Sequence, residues 1–524
     1  MKSESVDLVI YNAKIHLMDG KGTIVQAMAI RDGKVIEYGP DRQILNKYSY
    51  AESIDAQNKE VYPGLIDAHG HLFSYAEQKL SVDLVGCRSM EEMIRRIRDY
   101  QKTENRKVIV GSGWDQSLWG SSELPDNSLL NLEFPNIPVC MYRIDGHSAL
   151  VNQAFIDLIG PFNPTMKGGE VLYTEGKPNG MFIDAALAIV EPFIPKYSEI
   201  QIRKKMLEIQ QELFQYGVTG VHEAGIDFNE LELLIEMVKK SELKLNIYAM
   251  LNPSNKNRDF ASKHGVYRNK NLSVRSFKAY VDGALGSRGA LLKQPYTDKP
   301  GYNGLCLTSS DELKELAAFC VDHGYQLNSH GIGDSAISII LDMCKNVFAE
   351  NPDHRFRVEH AQVVDPNDFQ KFSDYAVFSS VQPTHATTDQ RWAESKLGSK
   401  RMKGSYAYKT LKESIGMIAL GTDFPVEYTN PFYTIHSAVH RKNHKGEPKG
   451  GFLLNEALTM EETLNGMTIW AAYSAFEEKY AGSIEVGKNA TFFILDKPLN
   501  RDSEFKENFS WMTFIDGNLV YSVK

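Results

Sequence analysis

Cysteine is scarce and unpatterned: Cys87, Cys140, Cys306, Cys320 and Cys344 are the only five in 524 residues, and no two form a Cys-x-x-Cys pair. That spacing argues against a disulfide framework and a thiolate zinc site. Apolar runs of membrane-spanning length are also missing, as is a basic segment followed by an apolar one after Met1. Neither a spanning helix nor a secretory leader is expected, and the chain reads as soluble and cytoplasmic. Positive charge is in deficit, with a formal net charge of -9 and a pI near 5.9. There is no basic footprint for nucleic acid or an anionic membrane. The expected partner is a small molecule, and a homo-oligomer is left open. Solenoid repeats, low-complexity tracts and heptads are lacking too.

What is present is enough apolar material, 42% of residues, for a large core in a chain too long for one ordinary domain. Both ends are β-rich. Short apolar runs flank Asp32-Gly33 near the start and Asp516-Gly517 near the end, the pattern of strands joined by tight turns. Residues 1–60 and 481–524 are therefore expected to build one β-sandwich domain. Residues 61–480 read as α/β. Strand-like segments at 61–69, 217–223, 245–251, 274–281, 326–330, 357–360, 377–382 and 418–423 alternate with helical patterns such as 201–216, 229–240, 310–323 and 335–350. Eight such units close a (β/α)8, TIM-like barrel with its active site at the C-terminal strand ends.

The first two segments lie too far apart for a simple connection, so an insertion is expected at about residues 80–200. Within it, Gly111-Ser112-Gly113 opens no helix in the dinucleotide-binding pattern, which argues against a Rossmann unit. Trp114, Asp115, Asp145 and His147 are expected to shape a pocket.

Polar residues recur at the predicted strand ends. His69 and His71, two apart after Pro63-Gly64, share one face of a strand. Neutral imidazoles suit zinc-like cations. Lys278 shares a face with Val274, Ser276 and Tyr280, and points into the barrel if Phe277 and Val281 pack outward. A lone interior cation is costly. The side chain therefore needs a carboxylate partner, or its neutral amine is modified by carbon dioxide to a carbamate able to bridge two metals. His330, His360 and Asp423 end three further segments.

With that ordered set the chain resembles the amidohydrolase superfamily, and most closely the branch of N-substituted formamide deformylase, amidohydrolase family 3. The resemblance runs nearly end to end, through PGLIDAHGH, DGHSALVN, FKAYVDGALGSR, SHGIGD, RVEHAQ, LGTDFPVE and AGSIEVGKNATFFILD. It implies one or two divalent ions per chain, zinc above all, with His69, His71 and Asp423 on one, His330 and His360 on the other, and Lys278 bridging as a carboxylated lysine. It further implies hydrolysis of a C–N bond in an amide, formamide or cyclic amide by metal-activated hydroxide, with Asp423 shuttling the proton. His222 and His385, at predicted strand ends, are expected to bond the substrate or to support the ligands, and Arg288 to meet an anionic group. Two alternatives stand beside this reading: a zinc-dependent deaminase of an aminated heterocycle, and a non-catalytic metal-stabilised binding protein. Lys278 favours the amide, because deaminases of the superfamily generally manage with one metal and no bridging lysine.

Overall fold

Pro63-Gly64 divides what the sequence suggests is one strand over 61–69. In the computed structural model, which describes residues 4–120, 123–164, 166, 168–500 and 509–523, Tyr48–Pro63 ends in one sheet and Leu65–Gly70 begins another. The break has a physical cause. The Gly64 N–H donates to Thr491 O at 3.0 Å while the Leu65 N–H donates to Gly217 O at 2.9 Å, so adjacent amides serve different parts of the fold. A Cβ at Gly64 would sit 2.1 Å from Thr219 Oγ1.

The first sheet joins the two chain ends. Its strands run in the order Asn518–Ser522, Met512–Ile515, Phe492–Leu495, Tyr48–Pro63, Glu4–His16, Ala27–Arg31 and Lys34–Gly39, with Ile24–Val25 beside Glu4–His16. The sheet curls on itself. The Val35 N–H donates to Lys488 O at 3.0 Å and the Ala490 N–H to Gly33 O at 2.8 Å. Leu8, Ile10 and Ile30 thereby share one core with Phe492, Ile494 and Phe514, the filling of a β-sandwich.

The barrel strands are β1 (Leu65–Gly70), β2 (Val218–Ile226), β3 (Asn246–Leu251), β4 (Leu272–Tyr280), β5 (Gln326–Gly331), β6 (Arg357–His360), β7 (Phe378–Val381) and β8 (Ala419–Leu420). Each pairs in parallel with the next. Every residue of β1 and β5 to β8 is buried, the continuous burial of strands covered on both faces. Amphipathic helices wrap the outside. Glu199–Phe214 and Ser310–Asp322 each start at a serine capping box. On β4, Phe277 packs outward against Phe319 and Tyr325, with ring centroids 5.6 and 5.3 Å away. Alternation then turns Lys278 inward.

The seam between β8 and β1 is closed by the residues that follow β8. The Asp423 N–H donates to His69 O at 2.7 Å and the His71 N–H to Phe424 O at 2.9 Å. The Asp67 carboxylate accepts from the Thr422 N–H at 2.9 Å and from its hydroxyl at 2.6 Å.

The long connection between β1 and β2 carries its own six-stranded sheet, ordered Gly169–Thr174, Lys177–Asp184, Ser148–Val151, Val139–Arg143, Ile109–Trp114 and Val82–Asp83. Helix Met90–Glu104 packs on it through Met93, Ile94 and Ile97. Gly111-Ser112-Gly113 lies within a strand of this sheet. Among the described residues no helix is long and apolar enough to cross a membrane.

The crowding at Gly64 leads to the first prediction. Gly64→Ala should cost about 1–3 kcal/mol by overpacking, seen as a lower midpoint of chemical unfolding. Gly450→Ala, where a Cβ meets nothing within 4 Å, should leave that midpoint unchanged; equal behaviour of the two would refute the junction argument.

Candidate metal centre

The C-terminal ends of β1, β4, β5 and β6 and the segment after β8 bring their polar residues together. Ligand atoms of His69, His360 and Asp423 all lie within 4.8 Å of one another. Asp423 Oδ1 is 3.1 Å from His71 Nε2 and 3.5 Å from His69 Nε2. Lys278 Nζ is 3.2 Å from His69 Nε2. The His360 ring stands 4.8 Å from that of His69 and 4.5 Å from that of His330. The six sequence-nominated ligands thus form one cluster. His71 lies just beyond β1, as the N-cap of helix Leu72–Gln78.

Burial and mutual repulsion shape its charge. His69, His330 and His360 are held well below the usual imidazole range, first by burial and then by neighbours, Lys278 among them for all three. They present neutral nitrogens, the form that binds a cation. Burial pulls the Lys278 amine down to about 8 against the attraction of Glu359 and Asp423. Burial alone would raise Asp423, but the His71 hydrogen bond and charge keep it below the usual carboxylate range. The donor set, imidazoles with a carboxylate, fits a zinc-like divalent ion. The buried His330 Nε2 has no hydrogen-bond partner, its nearest carboxylate oxygen being Asp282 Oδ1 at 3.6 Å. An unpartnered buried nitrogen in such company fits a metal ligand.

Several supporting residues carry no signal of their own in the sequence. Glu359 Oε2 lies 2.6 Å from His69 Nδ1, and Gln382 Oε1 2.8 Å from His360 Nδ1, fixing which ring nitrogen faces the cluster. Regular alternation would send Glu359 and His360 to opposite faces. The left-handed φ of 76° at His360 breaks that rule and lets both reach His69. Asp423 is left-handed as well, with φ of 62°. The Asp282 carboxylate accepts from the N–H groups of Leu291, Ile332 and Gly333 at 2.8, 3.0 and 2.8 Å, pinning the loop beyond His330.

The cluster opens on a cavity of about 1200 Å³ whose wall includes Asp115, Asp145, His147 and His385. His385 Nδ1 accepts from Gln362 Nε2 at 3.1 Å, and its Nε2 lies 3.6 Å from Asp423 Oδ2. Asp115 is paired with Arg143 at 3.0 Å, and Arg143 also bonds Asp145. His147 bonds Asp184, which lifts its pKa although burial opposes this.

Three expectations of a pocket role do not match the geometry. Trp114 is wholly buried in the insertion's core, its indole N–H donating to Met141 O at 2.7 Å. Arg288 is held by Asp298 at 3.0 Å, away from the cavity wall. His222 is not at the rim, because β2 runs on to Ile226. It bonds Arg357 at 3.1 Å and lines a small hollow with Thr219 and Asn246, towards the opposite end of the barrel.

Comparison with known proteins agrees with this architecture. Residues 52–521 match the model of the amidohydrolase family. The chain is 31% identical to Protein LONG AFTER FAR-RED 3 of Arabidopsis thaliana, covering 98% of this chain and 91% of that protein. It is 24% identical to the N-substituted formamide deformylase of Arthrobacter pascens, over 98% of each. Among solved structures, an uncharacterised metal-dependent hydrolase from Pyrococcus horikoshii OT3 superposes with a TM-score of 0.76 at 25% identity, covering 96% of this chain and 99% of the other. A barrel with histidine, lysine and aspartate converging at its strand ends and a family match over nearly its whole length therefore agree: this chain belongs to the amidohydrolase family.

Proposed function

We propose that this chain is a metal-dependent hydrolase that cleaves the C–N bond of a small amide, formamide or cyclic amide. The observation that carries the reading is the approach of His69, His360 and Asp423 donor atoms to within 4.8 Å, with Lys278 Nζ 3.2 Å from His69, at the floor of a roomy cavity. Likeness to an N-substituted formamide deformylase supports the choice of bond. Zinc suits the donors best. His69, His71 and Asp423 would hold one ion and His330 and His360 a second, with Lys278 between them as a carbamate. The lowered amine of Lys278 supports that modification, since the neutral form is the one that captures carbon dioxide.

A divalent cation held by these residues would supply acidified water and a polarised carbonyl. The protein's own side chains do the rest. Asp423, kept ionised by His71, takes a proton from the attacking water and delivers it to the leaving nitrogen. Glu359 and Gln382 hold the rings of His69 and His360 in place. The cavity accepts molecules well beyond a bare formamide, so a substituent on nitrogen has room.

Screening the metal-loaded protein against N-substituted formamides, secondary amides and cyclic amides should reveal turnover that a chelator abolishes and zinc restores. Turnover confined to aminated heterocycles would overturn the choice of bond. Asp423→Asn should retain most bound metal while losing about 10²- to 10⁴-fold in kcat; wild-type turnover would rule out its proton-transfer role. Glu359→Gln should weaken zinc affinity by about 10- to 100-fold, as read by competition with a chromophoric chelator. Lys278→Ala should lose at least one of two ions by elemental analysis, and an unchanged ion count would exclude bridging.

A further inference from the structure

Two of the imidazoles in the cluster are aimed through their rings. Glu359 reaches His69 Nδ1 at 2.6 Å, and Gln382 reaches His360 Nδ1 at 2.8 Å. His71 is held differently. Its Nε2 lies 3.1 Å from Asp423 Oδ1, and among the described residues no side chain meets its Nδ1. With 21% of its side chain exposed it is the least enclosed of the four imidazole ligands. The direction of this ring is therefore set by its main chain. His71 is the N-cap of helix Leu72–Gln78, with φ −129° and ψ 81°, and its side chain makes no cap hydrogen bond. A ring turned to the metal centre cannot also take the free N–H groups of the first helical turn.

The neighbouring strand takes those groups instead. Glu223 Oε2 accepts from the Leu72 N–H at 2.6 Å, and Oε1 from the Phe73 N–H at 3.3 Å. Glu223 stands beside Gly70 in the register of β1 and β2, is 1% exposed and lies outside the cavity wall. On the other side of the ligand, the His71 N–H donates to Phe424 O at 2.9 Å. The peptide units before and after His71 are thus clamped by two separate parts of the barrel, and together they fix the direction of its Cα–Cβ bond. We infer that Glu223 is a positioning residue of the metal centre: its carboxyl group holds the Leu72 and Phe73 N–H groups and so aims the His71 imidazole at the ion shared with His69 and Asp423. The inference rests on the metal-dependent reading of the site. Burial pushes Glu223 up to about 8 against the pull of those two N–H groups. The contact asks only for acceptor oxygen, which a carboxyl group supplies with or without its proton.

Cobalt(II) in place of zinc tests this without a known substrate, because its visible d–d absorption follows coordination geometry. In Glu223→Ala the absorption of the cobalt-loaded protein should shift or weaken relative to wild type. Zinc affinity in one binding step should fall about 10- to 100-fold, read by competition with a chromophoric chelator. Glu223→Gln, which keeps an acceptor oxygen, should restore a large part of both. Ser254→Ala removes a helix cap beyond β3, where Ser254 Oγ accepts from the Asn257 N–H at 3.3 Å. It should lower the midpoint of chemical unfolding yet leave absorption and affinity as in wild type. Wild-type absorption and affinity in Glu223→Ala would overturn the role of Glu223, as would an equal deficit in Glu223→Gln or the same deficit in Ser254→Ala. Should Glu223→Ala not fold, Glu223→Asp, with its carboxylate drawn back by one methylene, takes its place under the same outcomes. Failure of the wild type to take up either metal would overturn the metal-centre reading and this inference with it, whereas uptake with unmoved variants overturns the inference alone.

Discussion

Closure of the barrel between its first and last strands is the constraint on which the site depends. β8 is only two residues long, and the residues beyond it complete the seam. Asp67 takes both the backbone N–H and the hydroxyl of Thr422, and the next residue, Asp423, hydrogen-bonds the carbonyl of His69. The same few atoms that join the two ends of the barrel therefore set the separation of a histidine from β1 and the aspartate after β8. Burial pushes Asp67 up to about 7, a sign of how little water reaches this joint.

The cluster above the seam is electrostatically unbalanced in the apolar interior. Several imidazoles and an amine share a space with one ionised carboxylate, Asp423, and with Glu359, whose pKa burial raises despite Arg357 and Lys278. Neutral imidazoles relieve some of the repulsion. A divalent cation relieves more, because it gives each nitrogen lone pair a partner and each carboxylate a counter-charge. The arrangement is one in which metal uptake and structural order reinforce each other.

Much of this is legible in the sequence. Eight strand-like segments stand out between helical patterns, and those at 61–69, 274–281, 326–330, 357–360 and 418–423 carry histidine, lysine or aspartate near their ends. Lys278 could be aimed inward by alternation from Phe277. The unread parts fail for identifiable reasons. Glu359 was hidden by the same alternation rule, which the left-handed turn at His360 suspends. His222 looked like a strand end because the apolar run pauses there, while the strand itself continues to Ile226. Trp114 is fixed by Met141 on another strand and Arg288 by Asp298 within its own loop, pairings that no periodic pattern reveals. Asp184 sits at the end of an ordinary strand. Only its docking on Gly283 and Gly289 shows why those glycines stand where they do.

The pairing of Phe492–Leu495 with Tyr48–Pro63 has a consequence for biosynthesis. The anchor just before β1 gains its outer neighbour only when a segment made after the entire barrel has left the ribosome. Until then the edge of Tyr48–Pro63 that faces Phe492–Leu495 lacks its partner, although β1 itself is already held by β2 and by the segment after β8. The junction that leads into His69 and His71 is thus completed by a strand made after every barrel segment.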